Sequence, residues 1–204
     1  MKPIEMDVSK EDSVEKSIAD TVSAFGRLDI AVNNAGIGGQ AVPTPELPTS
    51  EWMKVMGINL TGVWYCQRAQ IKQMLKQDPV DKRQGRGTII NTASMLGTIG
   101  SAAVFNSTPY STSKHGVMGL TKTDAIAYAA KGIRINAICP GYVATPLLVA
   151  ATESGVMQKE MEKTPLGRMG EMEEIADSIT FLASPMSSFM VGQGLVVDGG
   201  YTIT

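Results

Sequence analysis

The feature that most restricts the fold is a set of four short runs that are apolar on consecutive positions. They read LDIAVNN (28–34), GTIINTAS (87–94), IRINAICP (133–140) and GLVVDGG (194–200). A strand with one face in water alternates apolar and polar residues. A strand covered on both faces does not, and such strands are typical of parallel sheets. A weaker fifth run, PIEMDV (3–8), opens the chain. Segments of helical period lie between the runs. In residues 9–26, Val14, Ile18, Val22 and Phe25 share one face, with Ser9 and Asp12 suited to the start and Gly26 to the end. Residues 49–77 predict one or two helices bent near Gly57 or Gly62, 109–131 another, and 171–183 the last, with acidic residues at its positive end. Strands alternating with helices imply a doubly wound parallel α/β domain.

The chain has 204 residues, 43% of them hydrophobic, and a net charge of -2. That is enough for one sizeable core. No internal repeat or linker divides it, so residues 1–204 read as a single domain. The charge balance gives no electrostatic footprint for nucleic acid or an anionic membrane. No apolar run approaches the length of a membrane span, and the charged start MKPIEMDVSKED has no signal-peptide core. Cys66 and Cys139 lie far apart, and with one histidine, His115, they build no metal cluster. A reducing, cytoplasmic compartment is the expectation.

In an open parallel sheet, ligands bind beyond the carboxyl ends of the strands. Those ends carry Asn33-Asn34-Ala35-Gly36, Thr92-Ala93-Ser94 and Pro140-Gly141. Glycine lets a ligand approach the backbone, and Asn and Ser supply hydrogen bonds. YSTSK (110–114) adds reactivity. Tyr110 and Lys114 are four apart and share a helical face. A free tyrosine titrates near about 10, and a nearby ammonium favours its phenolate. The pair suits proton exchange with an alcohol or carbonyl oxygen, which Ser94 can also hold.

Gly36-Ile37-Gly38-Gly39-Gln40-Ala41 fits a dinucleotide fingerprint. A pyrophosphate loop must run into a helix N-terminus. Pro43, Pro45 and Pro48 prevent a helix from starting at these glycines.

NNAG after one strand, a serine at the end of the next, YxxxK opening a helix and PGYVAT after a third strand resemble the short-chain dehydrogenase/reductase family. The resemblance runs from about residue 3 to 201 and includes Asp7 in MDV, Asn59 in GINLTG, CPGYVATP (139–146), PLGRMGEMEEIA (165–176) and DGG (198–200). It implies a Rossmann-like sheet and a hydride transfer between NAD or NADP and an alcohol or ketone. Tyr110 would be the proton donor or acceptor. Lys114 would lower its pKa and hold the nicotinamide ribose, Ser94 would orient the substrate oxygen, and Asn59 would support a proton-relaying water chain. Asp7 and Val8 would flank the adenine. Asn33, Asn34, Ala35 and Gly36 would pack along the adenosine, with Pro140, Gly141, Val143 and Thr145 toward the nicotinamide end. The family's TGxxxGxG loop and first two strands do not occur in these 204 residues, so the sheet is expected to be incomplete at its N-terminus and 28–34 to be an edge. The residue that selects NAD or NADP lies in that segment. The resemblance also implies a homodimer or homotetramer through the helices of 59–77 and 109–131.

Residues 146–164 are expected to form a lid. Leu147, Leu148, Val156, Met157 and Met161 would face one way, with Lys and Glu outward. Two alternatives to an active oxidoreductase remain open at this point: a non-catalytic subunit of the same fold, and an incomplete product of a longer reductase.

Overall fold

The computed structural model describes residues 3–148, 152–153 and 155–204. Its centre is one parallel sheet in the order β1 (Ile30–Asn33), β2 (Gly87–Thr92), β3 (Ile133–Pro140) and β4 (Gly194–Val197). Register pairs Ile30 with Thr88, Ile89 with Ile135 and Ile138 with Leu195. The main helices are α1 (Glu11–Phe25), α2 (Thr49–Met56), α3 (Val63–Met74), α4 (Thr108–Tyr128), α5 (Val156–Lys163) and α6 (Met172–Ala183).

Successive strand residues point to opposite faces. Ile89 and Ile135 therefore pack with Ile71 and Met74 of α3 and Ala125 of α4. Their neighbours Ile90 and Ile138 pack with Leu182, Ile175 and Ile179 of α6 on the other face. This is why β2 and β3 are apolar on consecutive positions. Each fully buried isoleucine contributes about 1.5–3 kcal/mol relative to an exposed one. In β1 the expectation of double burial fails. Ala31 and Asn33 face inward, but Ile30 and Val32 are 51% and 41% exposed. The α6 layer packs on β2 and β3, leaving the outer face of this edge strand open.

Residues 3–8 form no strand. They run beside the helices instead. Ser17 donates to the carbonyl of Glu5 (3.0 Å), and Val8 packs with Val14 and Cys66. A Cβ on Gly62 would stand 2.9 Å from the Val8 carbonyl, so this glycine admits the segment. The bend expected near Gly57 or Gly62 is a π-helical turn spanning both, Gly57–Gly62. At α1 the start differs from expectation: Lys10 is the N-cap residue, and Ser9 is held by the Asp7 carboxylate. Gly26 ends the helix at φ 84° as expected. Glu171 and Glu174 form a reciprocal capping box at the start of α6.

Candidate active site

Because all four strands run the same way, their carboxyl ends open at one rim of the sheet. The β2 end leads to Ser94, whose hydroxyl accepts from the Leu96 amide (3.1 Å) and starts the turn Met95–Gly97. A Cβ on Gly97 would stand 2.8 Å from the Lys114 carbonyl. That glycine lets α4 press against the turn. Pro109 in the first turn of α4 suits the helix start, because its missing N–H is not needed there. Tyr110 follows half-buried, and Lys114 lies one turn on, with Nζ 5.5 Å from the tyrosine ring centroid.

Lys114 is buried, and its ammonium donates to the Thr92 carbonyl (2.7 Å). Burial lowers its pKa to about 8. Burial likewise raises Tyr110 above the usual tyrosine range, with the Ser94 hydroxyl partly opposing. The sequence led to a phenol lowered by its lysine. In the protein alone, desolvation outweighs the Ser94 hydrogen bond and sets the opposite direction.

Asn59 sits in the π-helical turn and is fully buried. Its amide accepts from the Ile37 N–H (2.9 Å) and donates to the Ile37 carbonyl (2.9 Å) and the Ser113 hydroxyl (3.3 Å). It thereby ties the loop after β1 to α4. A Cβ on Gly36 would lie 3.4 Å from Asn59 Oδ1 and 3.6 Å from Lys114 Nζ. Gly36, Asn59 and Lys114 thus meet within one small region. No helix begins at the glycines of 36–39; the chain passes through the turn Thr44–Glu46 before α2.

The other candidates occupy varied settings. Asn34, Ala35 and Gly36 are exposed at the rim, and Asn34 accepts from the Thr92 hydroxyl (3.1 Å). Asn33 is instead buried, with its amide turned into the core. Pro140 ends β3, and a Cβ on Gly141 would stand 2.6 Å from Asp198 Cα, so Gly141 allows the loops after β3 and β4 to touch. Val143 bridges to Gly170, and Thr145 lies half-buried just beyond. Asp7 is exposed, and the Ser9 hydroxyl, Lys10 and the Ser9 amide hold its carboxyl down at about 2. It and Val8 lie at the N-terminal side of α1 rather than beside Tyr110.

Comparison with known proteins gives this rim its context. A family profile described as enoyl-(acyl carrier protein) reductase matches residues 1–202. The chain is 43% identical to cis-4-hydroxycyclohexanecarboxylate dehydrogenase of Sinomonas cyclohexanicum, over 98% of this chain and 76% of that protein. It is 40% identical to cyclohexanol dehydrogenase of an Acinetobacter species, over 95% and 72%. A short-chain type dehydrogenase/reductase from Mycobacterium marinum superposes with a TM-score of 0.90 at 37% identity, over 99% of this chain and 76% of that one. A gluconate 5-dehydrogenase from Burkholderia cenocepacia, solved with NADP and tartrate, superposes at 0.88 with 32% identity, over 98% and 74%.

The chain belongs to the short-chain dehydrogenase/reductase family.

As a short-chain dehydrogenase/reductase it is an oxidoreductase, and the strand ends described above are where such a fold binds its ligands. Sequence reasoning missed two groups near this rim. One is a buried side-chain ladder. Asn33 exchanges hydrogen bonds with Gln70 (2.7 and 3.1 Å) and donates to Asn91 (2.8 Å), which donates to Gln67 (2.7 Å) and Thr121 (2.9 Å). Gln67 in turn donates to Asp124 (2.7 Å). The only signal was two helical glutamines three apart facing strand asparagines. The other is Glu160, expected outward but only 2% exposed. Met157 is buried with it, while Leu147 is exposed; Val149, Ala150, Ala151 and Ser154 of the expected lid lie outside the described residues.

Among the described residues no helix is long and apolar enough to cross a membrane, and no group of His, Cys, Asp and Glu could hold a metal.

Proposed function

We propose that the chain interconverts an alcohol and its ketone with NAD or NADP, and that Tyr110 exchanges the proton. The observation that carries this reading is the convergence of Tyr110, Lys114, Asn59 and Gly36 at the open rim of the sheet. Bound NAD(P)(H) supplies or accepts the hydride. In reduction the Tyr110 hydroxyl donates its proton to the oxygen that becomes an alcohol; in oxidation it takes that proton back. The phenol is protonated near neutrality, and burial in the protein alone weakens it as an acid; the cationic Lys114 beside its ring is the group that would favour release of the proton. Ser94 holds the same oxygen by a hydrogen bond and so orients the carbonyl.

The residues fit a nicotinamide cofactor. The buried Lys114 ammonium has three N–H donors and, among the described residues, one acceptor, the Thr92 carbonyl, which leaves donors for ribose hydroxyls. Gly36 beside it carries no side chain to block a ribose. Asn59 fixes that loop and supports a water chain that passes the proton on from Lys114. Asn34, Ala35 and Gly36 line the adenosine side with Asp7 and Val8, backed from the core by the buried Asn33, and Pro140, Gly141, Val143 and Thr145 line the nicotinamide end. The names of the two dehydrogenases above favour a ring alcohol as substrate.

Two copies or four would assemble through α3 and α4, whose exposed Trp64, Gly119, Lys122 and Ile126 offer surface for pairing. The two free, buried cysteines accord with a reducing cytoplasm. The test is turnover of cyclohexanol and of 4-hydroxycyclohexanecarboxylate with NAD⁺ and with NADP⁺, by absorbance of the reduced cofactor. Activity that vanishes in Tyr110→Phe supports the reading. A Tyr110→Phe variant with undiminished kcat refutes it.

A further inference from the structure

Glu160 is the one carboxylate of α5 turned into the protein, and it is nearly fully buried. Three donors converge on it. Tyr201 donates its hydroxyl to Oε2 at 2.5 Å, Tyr142 donates to the same oxygen at 3.4 Å, and Lys163 donates to Oε1 at 2.7 Å. Burial opposes its ionisation, but Lys163 and the Tyr201 hydroxyl outweigh that and hold its pKa below the usual range. Glu160 is therefore an anion throughout the neutral range. The two tyrosine rings meet edge to face, 5.2 Å apart at 87°. On its other side the Tyr142 ring packs against Phe105, with centroids 5.8 Å apart.

These contacts join four segments that are remote in sequence. Phe105 belongs to the turn Ala103–Phe105, which lies between Ser94 and Tyr110. Tyr142 stands in the loop after β3, directly before Val143 and Thr145. Glu160 comes from α5, and Tyr201 from the terminal turn Tyr201–Ile203. We infer that Glu160 is a positioning residue: by fixing the Tyr142 and Tyr201 hydroxyls it sets where the Phe105 turn, in the segment that joins Ser94 to the proton-exchanging tyrosine, is held, and so shapes the substrate pocket. The kinetic part of this inference rests on the oxidoreductase reading; the mechanical part does not. A charge-assisted hydrogen bond is roughly twice as strong as a neutral one, so the carboxylate holds its tyrosines more firmly than an amide would. The ring stack passes that constraint on, because a shift of Tyr142 disturbs its packing against Phe105.

The experiment compares the parent chain with Glu160→Gln and Tyr201→Phe. Peptide-level hydrogen exchange should show faster exchange over residues 101–107 in both variants, with β2, β3 and α4 unchanged. In steady-state kinetics with cyclohexanol, substrate KM should rise about 5- to 20-fold, as expected for about 1–2 kcal/mol of lost positioning. Cofactor KM should stay within twofold and kcat within threefold. The double variant should be less damaging than the sum of the single ones, because both act on the Glu160–Tyr201 contact. Unchanged exchange over 101–107 in a folded variant overturns the inference, as does a loss of protection spread over the whole chain. Tyr201 is only half-buried, so its phenylalanine variant remains informative if Glu160→Gln fails to fold. A parent chain inactive on every alcohol would refute the proposed reaction, while the exchange result would still decide the mechanical coupling.

Discussion

At the scale of single residues, Tyr110 and Lys114 make separable contributions. Tyr110→Phe removes one hydroxyl and leaves the ring, so turnover should fall at least about a thousandfold, in the range of a lost general acid, while cofactor Kd stays within twofold. Lys114→Ala removes the donor meant for ribose as well, so both quantities should worsen. Lys114 also gives the site a pH dependence. Burial has lowered its pKa to about 8, and ribose hydroxyls bind the ammonium better than the neutral amine. Cofactor affinity should therefore be flat below about pH 8 and weaken above it. Titrating NAD(P)H fluorescence from pH 6 to pH 10 measures this, and Lys114→Ala should abolish the slope. A flat profile in the parent chain counts against the assignment. The pairing of these residues was legible in YSTSK because helical spacing alone brings i and i+4 together. The direction of their pKa shifts was not, since it depends on burial by the turn Met95–Gly97 and by Asn59, which only the fold supplies.

At the scale of elements, the four consecutive apolar runs became the four strands, and all of the segments with helical period became helices. The signal was strongest in β2 and β3, where burial on both faces favours consecutive apolar residues such as Ile89 and Ile90. What escaped was polar. The amides of Asn33, Asn91, Gln67 and Gln70 resemble turn and surface residues in a sequence, yet they are buried between the sheet and α3. Asn33 shows the ambiguity well: NNAG marks a ligand-facing loop, but strand alternation sends Asn33 inward and leaves Asn34 at the rim. Glu160 escaped for a similar reason, since a helical glutamate reads as solvent-facing until its two tyrosines arrive from distant segments. The ladder should be central to stability. Asn91→Leu keeps the volume but leaves Asn33, Gln67 and Thr121 each short of a partner. Stranded buried polar groups cost about 1–3 kcal/mol each, so the variant should lose at least about 3 kcal/mol, or upward of about 6 °C in Tm. Thr92→Val, which breaks the bond to the exposed Asn34, should cost about 0.5 kcal/mol or less. Equal losses by calorimetry would mean that the ladder adds nothing beyond ordinary packing.

At the scale of the whole molecule, two surfaces invite other chains for different physical reasons. On α4, Gly119, Lys122 and Ile126 recur at helical spacing on one exposed face, and Ile126 is 81% exposed. This is the face proposed to pair two copies. At the sheet edge, among the described residues, β1 bonds only to β2, and its other row of N–H and C=O groups has no strand partner. Ile30 and Val32 make that edge apolar as well. An apolar open edge promotes pairing with any extended chain, which grows without a limit set by symmetry. The two surfaces should therefore answer to different substitutions. Ile126→Glu should shift sedimentation toward the monomer and leave heat-induced scattering unchanged. Val32→Lys should suppress scattering during a thermal ramp and leave the assembly state unchanged. Because Val32 points away from the core, the added charge should move Tm by no more than a few degrees. Scattering that persists in Val32→Lys would acquit the edge, and the exposed Phe189 and Met186 beside β4 would be the next surface to test.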